Sequence, residues 1–380
     1  MRDGYQREID YLRVSVTDRC NLRCRYCLPP EGVPLLPHAE ILSFEEIERV
    51  VQAASLVGVK KVRLTGGEPL VRQDLVRLVA RLAGIDGIED LALTTNGILL
   101  SRYAGGLKAA GLKRVNISLD TLQPERYTWI TRGGKLTDLW RGVESALETG
   151  LNPVKLNVVV IGGFNDDEIP DLAALSLKYP LHVRFIELMP YGPASEWGGK
   201  SFVPNSRVRF QIEAAFGDLV EVRKPTGNGP ACYWRIRGAP GTVGFISPVS
   251  EHICSRCNRL RLTAVGKLRP CLFRQEETDV KGLLRKGANL EELVALVAQV
   301  IKSKRERKAR SVPGVMVRIG GRMAKRRGRG EGSITKRKDG RWEAKASIGY
   351  DPGTGKLKRV TKCFKTRQEA AVWLCILVQK

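Results

Sequence analysis

The chain has 380 residues, of which 43% are hydrophobic and 27% are charged, the balance of an ordinary folded protein. This composition excludes a collagen, a disordered polymer and a disulfide-rich miniprotein, and no apolar run approaches the roughly 18 residues of a membrane helix. The amino terminus lacks the apolar stretch of a secretory signal, so we expect a cytoplasmic protein without membrane contact.

Charge and cysteine are unevenly distributed along the chain. The formal net charge is +24, and half of it lies in residues 322–380, where 17 Lys and Arg stand against 5 Asp and Glu. Six of the nine cysteines form two groups of three. In a chain without a secretory signal, grouped cysteines indicate metal or redox chemistry more than disulfides.

Apolar β-branched segments alternate with helical patterns over the first half of the chain. The predicted strands are residues 11–16, 61–64, 90–94, 114–118, 154–160 and 181–187. The predicted helices are residues 44–56, 75–82, 100–110, 138–149 and 166–177, and Ser43 with Glu46 forms a capping box before the first. Repeated βα units predict a parallel sheet that carries its chemistry at the carboxyl ends of the strands. Beyond about residue 190 the alternation fades, until a last helix at residues 290–301.

The first cysteine group is Cys20, Cys24 and Cys27, which follow the first strand with the spacing CxxxCxxC. A structural zinc site is the simplest alternative, but it normally has four ligands, and no fourth Cys or His lies near these three. Three thiolates suit a cubane iron–sulfur cluster in which one iron is left open for another ligand. We therefore favour a cluster over zinc.

The CxxxCxxC motif has Tyr26 before its last cysteine and is followed, after the next strand, by residues 65–69 with the sequence TGGEP. Together these motifs resemble the radical S-adenosylmethionine superfamily. The resemblance implies a [4Fe-4S] cluster whose open iron binds S-adenosylmethionine and whose electron cleaves it to a 5′-deoxyadenosyl radical. Small glycines let the backbone approach a ligand closely, and Glu68 offers a carboxylate to a cationic amine.

The second group is Cys254, Cys257 and Cys271, whose spacing, CxxC-x13-C, could by itself be half of a zinc ribbon. Arg259 and Arg261 follow the pair on one side of an extended segment, an arrangement that suits an anionic ligand. The wider pattern resembles the GTP 3′,8-cyclase family of molybdenum-cofactor biosynthesis. The segments that carry this resemblance are residues 12–20, 93–97, 116–120, 184–190, 258–262, 268–273 and 319–321.

This second resemblance covers about residues 11–321 and implies an α/β fold. The expected architecture is a partial (β/α)6 TIM-type barrel of the radical S-adenosylmethionine kind, followed by an auxiliary-cluster region. The implied cofactors are two [4Fe-4S] clusters and S-adenosylmethionine. The implied reaction removes the hydrogen at ribose C3′ of GTP and joins that carbon to guanine C8, giving (8S)-3′,8-cyclo-7,8-dihydroguanosine 5′-triphosphate. The cofactors, and no catalytic side chain, carry this chemistry.

The resemblance also assigns residues to ligands. Cys20, Cys24 and Cys27 would hold the first cluster, and Cys254, Cys257 and Cys271 would hold the second, whose open iron contacts guanine. The residues assigned to S-adenosylmethionine are Tyr26, Gly67, Ser118 and Met189. The residues assigned to GTP are Arg13, Arg63, Thr94, Lys155, Arg259, Leu260 and Arg261, with Lys61 and Arg184 as weaker additions. Basic residues at strand ends would attract a triphosphate of about four negative charges.

The implied partners are a low-potential flavodoxin or ferredoxin as electron donor, cyclic pyranopterin monophosphate synthase as the next enzyme, and a second copy in a homodimer.

Four segments are expected along the chain. Residues 1–190 form the barrel with the first cluster, and residues 191–321 form the auxiliary-cluster and GTP-binding region. Residues 322–332 are a basic linker, and residues 333–380 are a small additional domain. The family ends in a Gly-Gly tail, whereas Gly320 and Gly321 are internal here.

The carboxy-terminal extension has its own pattern. Residues 333–337, 342–348 and 358–364 are predicted strands, and a helix at residues 368–377 follows Thr366 as its cap. Asp339 and Gly340 predict a hairpin, and residues 351–355 carry turn chemistry. This order resembles the arm-type DNA-binding domain of tyrosine recombinases, or phage integrases, and implies contact with DNA phosphates. A basic tail without function is the alternative.

Two other functions stay open at this point. One is a peptide-modifying radical enzyme with an auxiliary cluster, although such enzymes usually carry more carboxy-terminal cysteines. The other is a DNA-binding protein whose purpose lies in residues 322–380.

Overall fold

A computed structural model describes residues 1–190, 192–197, 199–222, 229–251, 253–306, 333–337, 339–350, 357–364, 366 and 369 of the chain. The chain divides into two compact units, Met1–Arg322 and Met323–Lys380. The expected basic linker at residues 322–332, together with Gly320 and Gly321, lies outside the described residues. Within the described part of the chain, no helix is long and apolar enough to cross a membrane.

Strands and helices alternate through the first part of the larger unit. The strands are β1 (Tyr11–Ser15), β2 (Lys61–Thr65), β3 (Asp90–Thr95), β4 (Arg114–Ser118), β5 (Val154–Val160) and β6 (His182–Glu187). The helices are α1 (Phe44–Leu56), α2 (Leu75–Ala83), α3 (Leu100–Ala109), α4 (Pro124–Thr131), α5 (Leu136–Glu148) and α6 (Ile169–Lys178). Each strand pairs in parallel with the next, which confirms the six-stranded βα architecture.

The predicted elements agree with these bounds, apart from α4. The capping box before α1 is present, since the Ser43 hydroxyl accepts from Glu46 N at 3.1 Å and the Glu46 carboxylate accepts from Ser43 N at 2.8 Å. Helix α4 was not predicted. It begins at Pro124, and its short sequence, PERYTWIT, mixes aromatic and β-branched residues of modest helix propensity.

The remaining elements of the larger unit extend the sheet at both edges. The additional strands are β7 (Val220–Glu221), β8 (Cys232–Arg235), β9 (Thr242–Ile246), β10 (Arg259–Leu262), β11 (Lys267–Arg269) and β12 (Thr278–Asp279). The additional helices are α7 (Asn205–Phe216), α8 (Val280–Arg285) and α9 (Leu290–Lys302). The strand order is β12-β11-β10-β1-β2-β3-β4-β5-β6-β9-β8-β7, with β10 parallel to β1 and β9 parallel to β6.

Side-chain alternation in the strands separates the hydrophobic core from the cavities. In β1, Leu12 and Val14 are fully buried in the core that the helices cover. Tyr11, Arg13 and Ser15 face the opposite way and line cavities inside the curved sheet. Because successive strand residues point to opposite faces, a single strand both stabilises the fold and furnishes polar groups to the interior.

The smaller unit contains the predicted three-stranded sheet. Its strands are β13 (Ser333–Lys336), β14 (Trp342–Tyr350) and β15 (Leu357–Phe364), paired antiparallel in chain order. The hairpin at Asp339 and Gly340 is confirmed, with Gly340 at φ +83° and Arg337 N donating to Arg341 O at 2.8 Å. Thr366 and Glu369 bond to each other reciprocally, as a helix cap requires. The predicted turn at 351–355 lies outside the described residues, as does the predicted helix at 368–377 except for Glu369.

Candidate active site

The first cysteine group lies in the loop after β1, at the carboxyl ends of the parallel strands. Cys20, Cys24 and Cys27 are half-buried and line one cavity. The Gly66–Gly67 turn after β2, the end of β3 and Ser118 at the end of β4 line the same cavity. The structure thus brings the two motifs of the first resemblance together.

Helix α4 holds this cysteine loop in place. Arg23 N donates to Thr131 O at 3.1 Å, and Arg25 N donates to Ile130 O at 2.8 Å, both at the end of α4. Arg132, which follows the helix with φ +56°, donates to the Arg23 and Leu28 carbonyls at 2.7 and 2.8 Å. The element that the sequence analysis missed therefore positions the first group of cysteines.

The glycine turn packs against the other side of the cysteine loop. Gly67 N donates to Thr17 O at 2.9 Å, and Glu68 N donates to Arg19 O at 2.8 Å. A Cβ atom at Gly67 would lie 2.1 Å from Arg19 O, which is closer than atoms can approach. Glycine is therefore needed here for contact between two protein segments, in addition to any approach to a ligand.

Glu68 lines this cavity, but its carboxylate is already engaged. It is 1% exposed and accepts hydrogen bonds from Thr95 Oγ1 at 2.7 Å, Asn96 N at 2.7 Å and Leu70 N at 3.0 Å. Burial raises its pKa to about 7, although these donors act in the opposite direction. Glu68 thus ties the glycine turn to the end of β3.

The thiols of the first group are hard to ionise without a metal. Burial raises the pKa of Cys20 to about 11 and that of Cys27 to about 12, and the nearby carboxylate of Asp120 adds to the effect at Cys27. Burial and the repulsion of Cys27 raise the pKa of Cys24 well above its ordinary value. Cationic iron would offset both effects, because cysteine binds metals as the thiolate.

The four residues assigned to S-adenosylmethionine, Tyr26, Gly67, Ser118 and Met189, all line this first cavity. Tyr26 is held by its hydroxyl, which donates to Asp120 Oδ2 at 2.7 Å. Asp120 in turn accepts from Val159 N at 2.9 Å. The aromatic ring beside the last cysteine therefore has a fixed orientation.

The second cysteine group lines a second cavity, inside the sheet. Cys254, Cys257 and Cys271 face a row of guanidinium groups, because β10 pairs with β1 and β1 pairs with β2. In this register Arg261 lies opposite Arg13, and Arg13 lies opposite Arg63. Arg13 and Arg63 are at the centres of their strands and not at the strand ends, and both side chains line the cavity.

Several polar atoms of this cavity are buried without protein partners. Among the described residues, the Nε atoms of Arg13, Arg63 and Arg184 and the Oδ1 atom of Asn116 are buried and form no hydrogen bond. All four residues line the second cavity. Unsatisfied buried groups are costly, so this cluster indicates a ligand with anionic acceptors and at least one donor.

Three of the other residues assigned to GTP also lie in or beside this cavity. Arg259 and Thr94 line it, and Arg63 Nη1 donates to Thr94 Oγ1 at 3.5 Å. Lys155 is 3% exposed and lies two residues before Asn157, a lining residue, on the same face of β5. Burial, with repulsion from Arg184 and other arginines, lowers the pKa of Lys155 to about 6.

Two assigned residues lie elsewhere. The Leu260 side chain is fully buried in the hydrophobic core, because β10 turns Arg259 and Arg261 to the cavity and Leu260 to the opposite face. Only the backbone of Leu260 is available to a ligand. Lys61 is paired with Asp10, its Nζ lying 3.1 Å from Asp10 Oδ2.

In the second group, the electrostatic setting of Cys257 is the reverse of that of the first group. Although burial acts to raise it, the pKa of Cys257 falls to about 6, because Arg259 and Lys304 place positive charge beside the sulfur. Cys257 is therefore largely a thiolate at neutral pH, which is the form that binds iron.

Neither group has the arrangement of a site for one ion. In the part of the chain that the structure describes, no set of three or more His, Cys, Asp or Glu is arranged to hold a single metal ion. A cubane cluster does not require this convergence, since each cysteine binds a different iron atom. The three-thiol sets therefore fit [4Fe-4S] clusters better than zinc.

The two cavities are adjacent. They share the lining residues Arg13, Thr94, Met189, Arg261 and Leu272. A ligand at the first cysteine group therefore lies next to a ligand at the second.

Sequence analysis missed part of the wall of the second cavity. Asn116 and Asn157 line it, and the strand period predicts their direction, since Asn157 lies on the same face of β5 as Lys155. An apolar wall is formed by Ile186, Pro230, Ile246 and Phe273. No local pattern distinguishes these apolar residues from those of the core.

Comparisons with known proteins agree with this site. Residues 14–175 match the radical SAM superfamily, and residues 181–310 match the molybdenum cofactor synthesis C family. The larger unit is thus a radical S-adenosylmethionine domain followed by the domain characteristic of molybdenum-cofactor synthesis.

The match to curated relatives extends over nearly the whole length of each relative. The GTP 3′,8-cyclase of Pelotomaculum thermopropionicum is 60% identical over 307 residues, which cover 81% of this chain and 94% of the relative. That of Moorella thermoacetica is 54% identical over 304 residues, covering 80% and 94%. The chain belongs to the GTP 3′,8-cyclase family.

Among solved structures, SuiB of Streptococcus suis bound to S-adenosylmethionine has a TM-score of 0.53 at 14% identity. The match covers 76% of this chain and 68% of SuiB. At this level of identity the likeness confirms the radical S-adenosylmethionine fold and nothing further.

Proposed function

We propose that this chain is a GTP 3′,8-cyclase, a radical S-adenosylmethionine lyase that uses two [4Fe-4S] clusters. It converts GTP to (8S)-3′,8-cyclo-7,8-dihydroguanosine 5′-triphosphate, the first step of molybdenum-cofactor biosynthesis. Family membership at 60% identity supports this activity.

One structural observation carries the proposal. The second cavity combines three thiols with the arginine row Arg261, Arg13 and Arg63, and it adjoins the cavity of the first cysteine group. The Nε atoms of Arg13, Arg63 and Arg184 are buried there without a partner among the described residues. An iron–sulfur site alone would not need these guanidinium groups. A ligand that carries both a polyphosphate and a group to meet a second cluster accounts for both features.

The two cavities have different roles in the proposed reaction. When bound, the first cluster and S-adenosylmethionine supply the radical that removes the C3′ hydrogen of GTP. Cys20, Cys24 and Cys27 hold that cluster, while the cofactor lies against Tyr26, Gly67, Ser118 and Met189. Met189, which lines both cavities, lies where the cofactor meets the substrate.

The substrate is held by charge and enclosure. Arg13, Arg63 and Arg261 bind the triphosphate, and Arg184 adds positive charge from β6. Lys155, on β5, becomes charged when the bound polyphosphate raises its pKa from about 6. The apolar wall keeps water from the reacting carbon atoms. Cys254, Cys257 and Cys271 would hold the second cluster, which would supply an open iron for the guanine. This arrangement orients ribose C3′ towards the first cavity.

The decisive experiment is anaerobic reconstitution with iron and sulfide, followed by S-adenosylmethionine, dithionite and GTP. We expect about eight irons per chain, 5′-deoxyadenosine and a GTP isomer of unchanged mass, since cyclisation only rearranges atoms. Deoxyadenosine without the isomer would reject GTP cyclisation while leaving the radical chemistry. Zinc in place of iron would reject the whole proposal.

A peptide-modifying radical enzyme is the second candidate, since SuiB bound to its precursor peptide SuiA also shares the fold, with a TM-score of 0.53 at 13% identity. The row of Arg261, Arg13 and Arg63 argues against a peptide substrate, because a peptide backbone carries no charge to match three guanidinium groups. Deoxyadenosine formation that depends on a peptide and not on GTP would favour this alternative.

The proposal includes partners. A low-potential flavodoxin or ferredoxin supplies electrons, cyclic pyranopterin monophosphate synthase takes the product, and two copies form a homodimer. A cytoplasmic location suits the reduced thiols of both cysteine groups, because they need a reducing compartment. Sedimentation and reduction assays with purified flavodoxin test these assignments.

For the carboxy-terminal unit we propose contact with DNA through its recombinase-like sheet. Half of the net charge of the chain, in residues 322–380, supports it. The full chain should bind duplex DNA at low salt with a strong salt dependence, and a chain ending at Gly321 should bind far more weakly. Equal binding by the two chains would reject this role.

A further inference from the structure

Lys304 is a buried cation just beyond the end of α9. Its side chain belongs to a residue only 3% exposed, whereas Lys302, at the end of the helix, is exposed. Lys304 Nζ donates to Arg259 O at 3.0 Å and to Pro270 O at 2.6 Å. Burying an ammonium group is costly unless its charge and all its donors are compensated, so this position requires an explanation.

The two carbonyl groups belong to the two segments that carry the second cysteine group. Arg259 lies two residues after Cys257, and Pro270 immediately precedes Cys271. A single ammonium group of Lys304 therefore ties the CxxC segment to the segment of the distant third cysteine. The hydrogen bonds fix the separation of the backbones that present the sulfur ligands.

The charges around the Lys304 ammonium also relate it to the second cysteine group. The negative groups that act on the ammonium of Lys304 are the sulfurs of Cys257 and Cys271, and Arg7 opposes them as a like charge. Among the described residues, none of the ion pairs joins Lys304 to a carboxylate. The negative charge that Lys304 faces is thus carried by the sulfur ligands themselves.

Arg7 attaches the remaining cysteine to the same part of the chain. It donates to Cys254 O at 2.8 Å, to Arg305 O at 2.7 Å and to Glu306 O at 3.0 Å. Asp3 pairs with it at 2.7 Å, so this second buried cation has its own carboxylate. All three cysteine segments are consequently joined to residues 304–306. Of the two cations in these contacts, Arg7 has Asp3 as its counter-charge, whereas Lys304 has the sulfurs.

We propose that Lys304 is a positioning residue for the second iron–sulfur cluster. Its ammonium holds the CxxC and Cys271 segments at the spacing of the cluster and offsets the negative charge of the thiolate-ligated iron. This inference rests on the proposed function, because it presupposes a cluster on Cys254, Cys257 and Cys271.

The test measures the retention of iron and does not depend on activity. Lys304→Met removes both the charge and the donors, and Lys304→Gln removes the charge while keeping an N–H donor. Lys302→Met is the matched control, two residues away and exposed. Each variant is made in the full chain and in a chain with Cys20, Cys24 and Cys27 changed to Ser, which isolates the second cluster. After anaerobic reconstitution, iron per chain and the rate of iron release to a chelator are measured.

We expect Lys304→Met to lose iron from the isolated second cluster about 10–100-fold faster than the unsubstituted chain, the usual effect of removing an outer-sphere partner. Lys304→Gln should also release iron faster, because the charge is missing, and Lys302→Met should match the unsubstituted chain. In the full chain, the iron of the first cluster should remain. Melting of the iron-free chains by circular dichroism should show that Lys304→Met still folds, since a buried charge has been removed.

Equal release rates for Lys304→Met, Lys302→Met and the unsubstituted chain would overturn the inference. If Lys304→Met fails to fold, Lys304→Gln decides, and a release rate equal to that of the unsubstituted chain would overturn it. The proposed function fails separately: an unsubstituted chain that binds about four irons, or zinc, would show that no second cluster exists.

Discussion

Neighbouring charges shift the pKa values of two chemically identical thiols, Cys27 and Cys257, in opposite directions. Both are half-buried, but Cys27 lies beside Cys20 and Asp120, whereas Cys257 lies beside Arg259 and Lys304. The pKa of Cys27 is therefore raised to about 12, and that of Cys257 is lowered to about 6. The spacing of the cysteines predicted both sites but could not predict this difference, which depends in part on Asp120 and Lys304, far away in the sequence.

The difference predicts the order in which the thiols of the iron-free chain react. Thiolates are the nucleophiles, so Cys257 should react with iodoacetamide at a rate that rises up to about pH 6 and then levels off. The rate at Cys27 should keep rising about tenfold per pH unit through pH 9. Peptide mass spectrometry after timed labelling measures both rates. Arg259→Met should slow Cys257 at pH 7, and equal pH profiles for the two thiols would contradict the assignment.

Lys155 gives a second prediction at the scale of one residue. Its pKa of about 6 in the empty chain reflects burial first and the repulsion of Arg184, Arg114 and Arg63 next. A bound polyphosphate raises that pKa, so binding at pH 7–8 takes up a proton, and affinity falls as pH rises above about 6. Calorimetric titration with tripolyphosphate in two buffers of different ionisation enthalpy measures this uptake. It should fall in Lys155→Met and persist in Lys113→Met, an exposed control; undiminished uptake in Lys155→Met would assign the proton elsewhere.

Two elements hold the first cysteine loop from opposite sides. The end of α4 accepts from the loop backbone, and the Gly66–Gly67 turn packs on the segment before Cys20. The TGGEP motif was predicted from sequence because a short, characteristic word is a local signal. Helix α4 was not, because its function lies in long-range contacts that its own sequence does not signal. The guanidinium groups of Arg25 and Arg132 donate to backbone carbonyls 104–109 positions away, between the cysteine loop and the end of the helix.

The glycine turn supplies a prediction at this scale. Gly67→Ala places a Cβ 2.1 Å from Arg19 O and should lower the free energy of unfolding by about 1–3 kcal/mol, with loss of iron from the first cluster. Gly105→Ala, in the middle of α3 with nothing within 4 Å, should leave stability unchanged or raise it by about 1 kcal/mol. Urea unfolding of the iron-free chains measures both. Gly67→Ala with the stability of Gly105→Ala would show that the turn can move away from the cysteine loop.

At the scale of the whole molecule, the described part of the larger unit ends beside the second cysteine group. Arg7 donates to the Cys254, Arg305 and Glu306 carbonyls, so residues 305 and 306 lie beside the CxxC segment. The Gly-Gly motif at residues 320–321 lies at most fifteen residues further on and is followed by the carboxy-terminal extension. The family resemblance in the sequence implies that this motif ends the chain, so the extension follows where a free tail is expected.

Truncation after Gly321 tests the extension. Because it restores a free Gly-Gly tail, we expect GTP cyclisation equal to or higher than that of the full chain, with iron content unchanged. Initial rates of product formation, normalised to iron, are the measurement. A truncated chain clearly less active than the full chain would mean that the extension takes part in the reaction.

By itself, the sequence determined β1 to β6, both cysteine groups and the family, because strand periodicity, ligand spacing and short motifs are local properties of a chain. Tertiary structure alone decided that β10 lies beside β1, so that Arg261 stands opposite Arg13 and a row of arginines faces three thiols. It also decided that Lys304 joins the two segments of the second cysteine group. The contact of Arg7 with Cys254 spans 247 positions. Pairings of that length are set by packing of the complete fold, and no local pattern in the sequence encodes them.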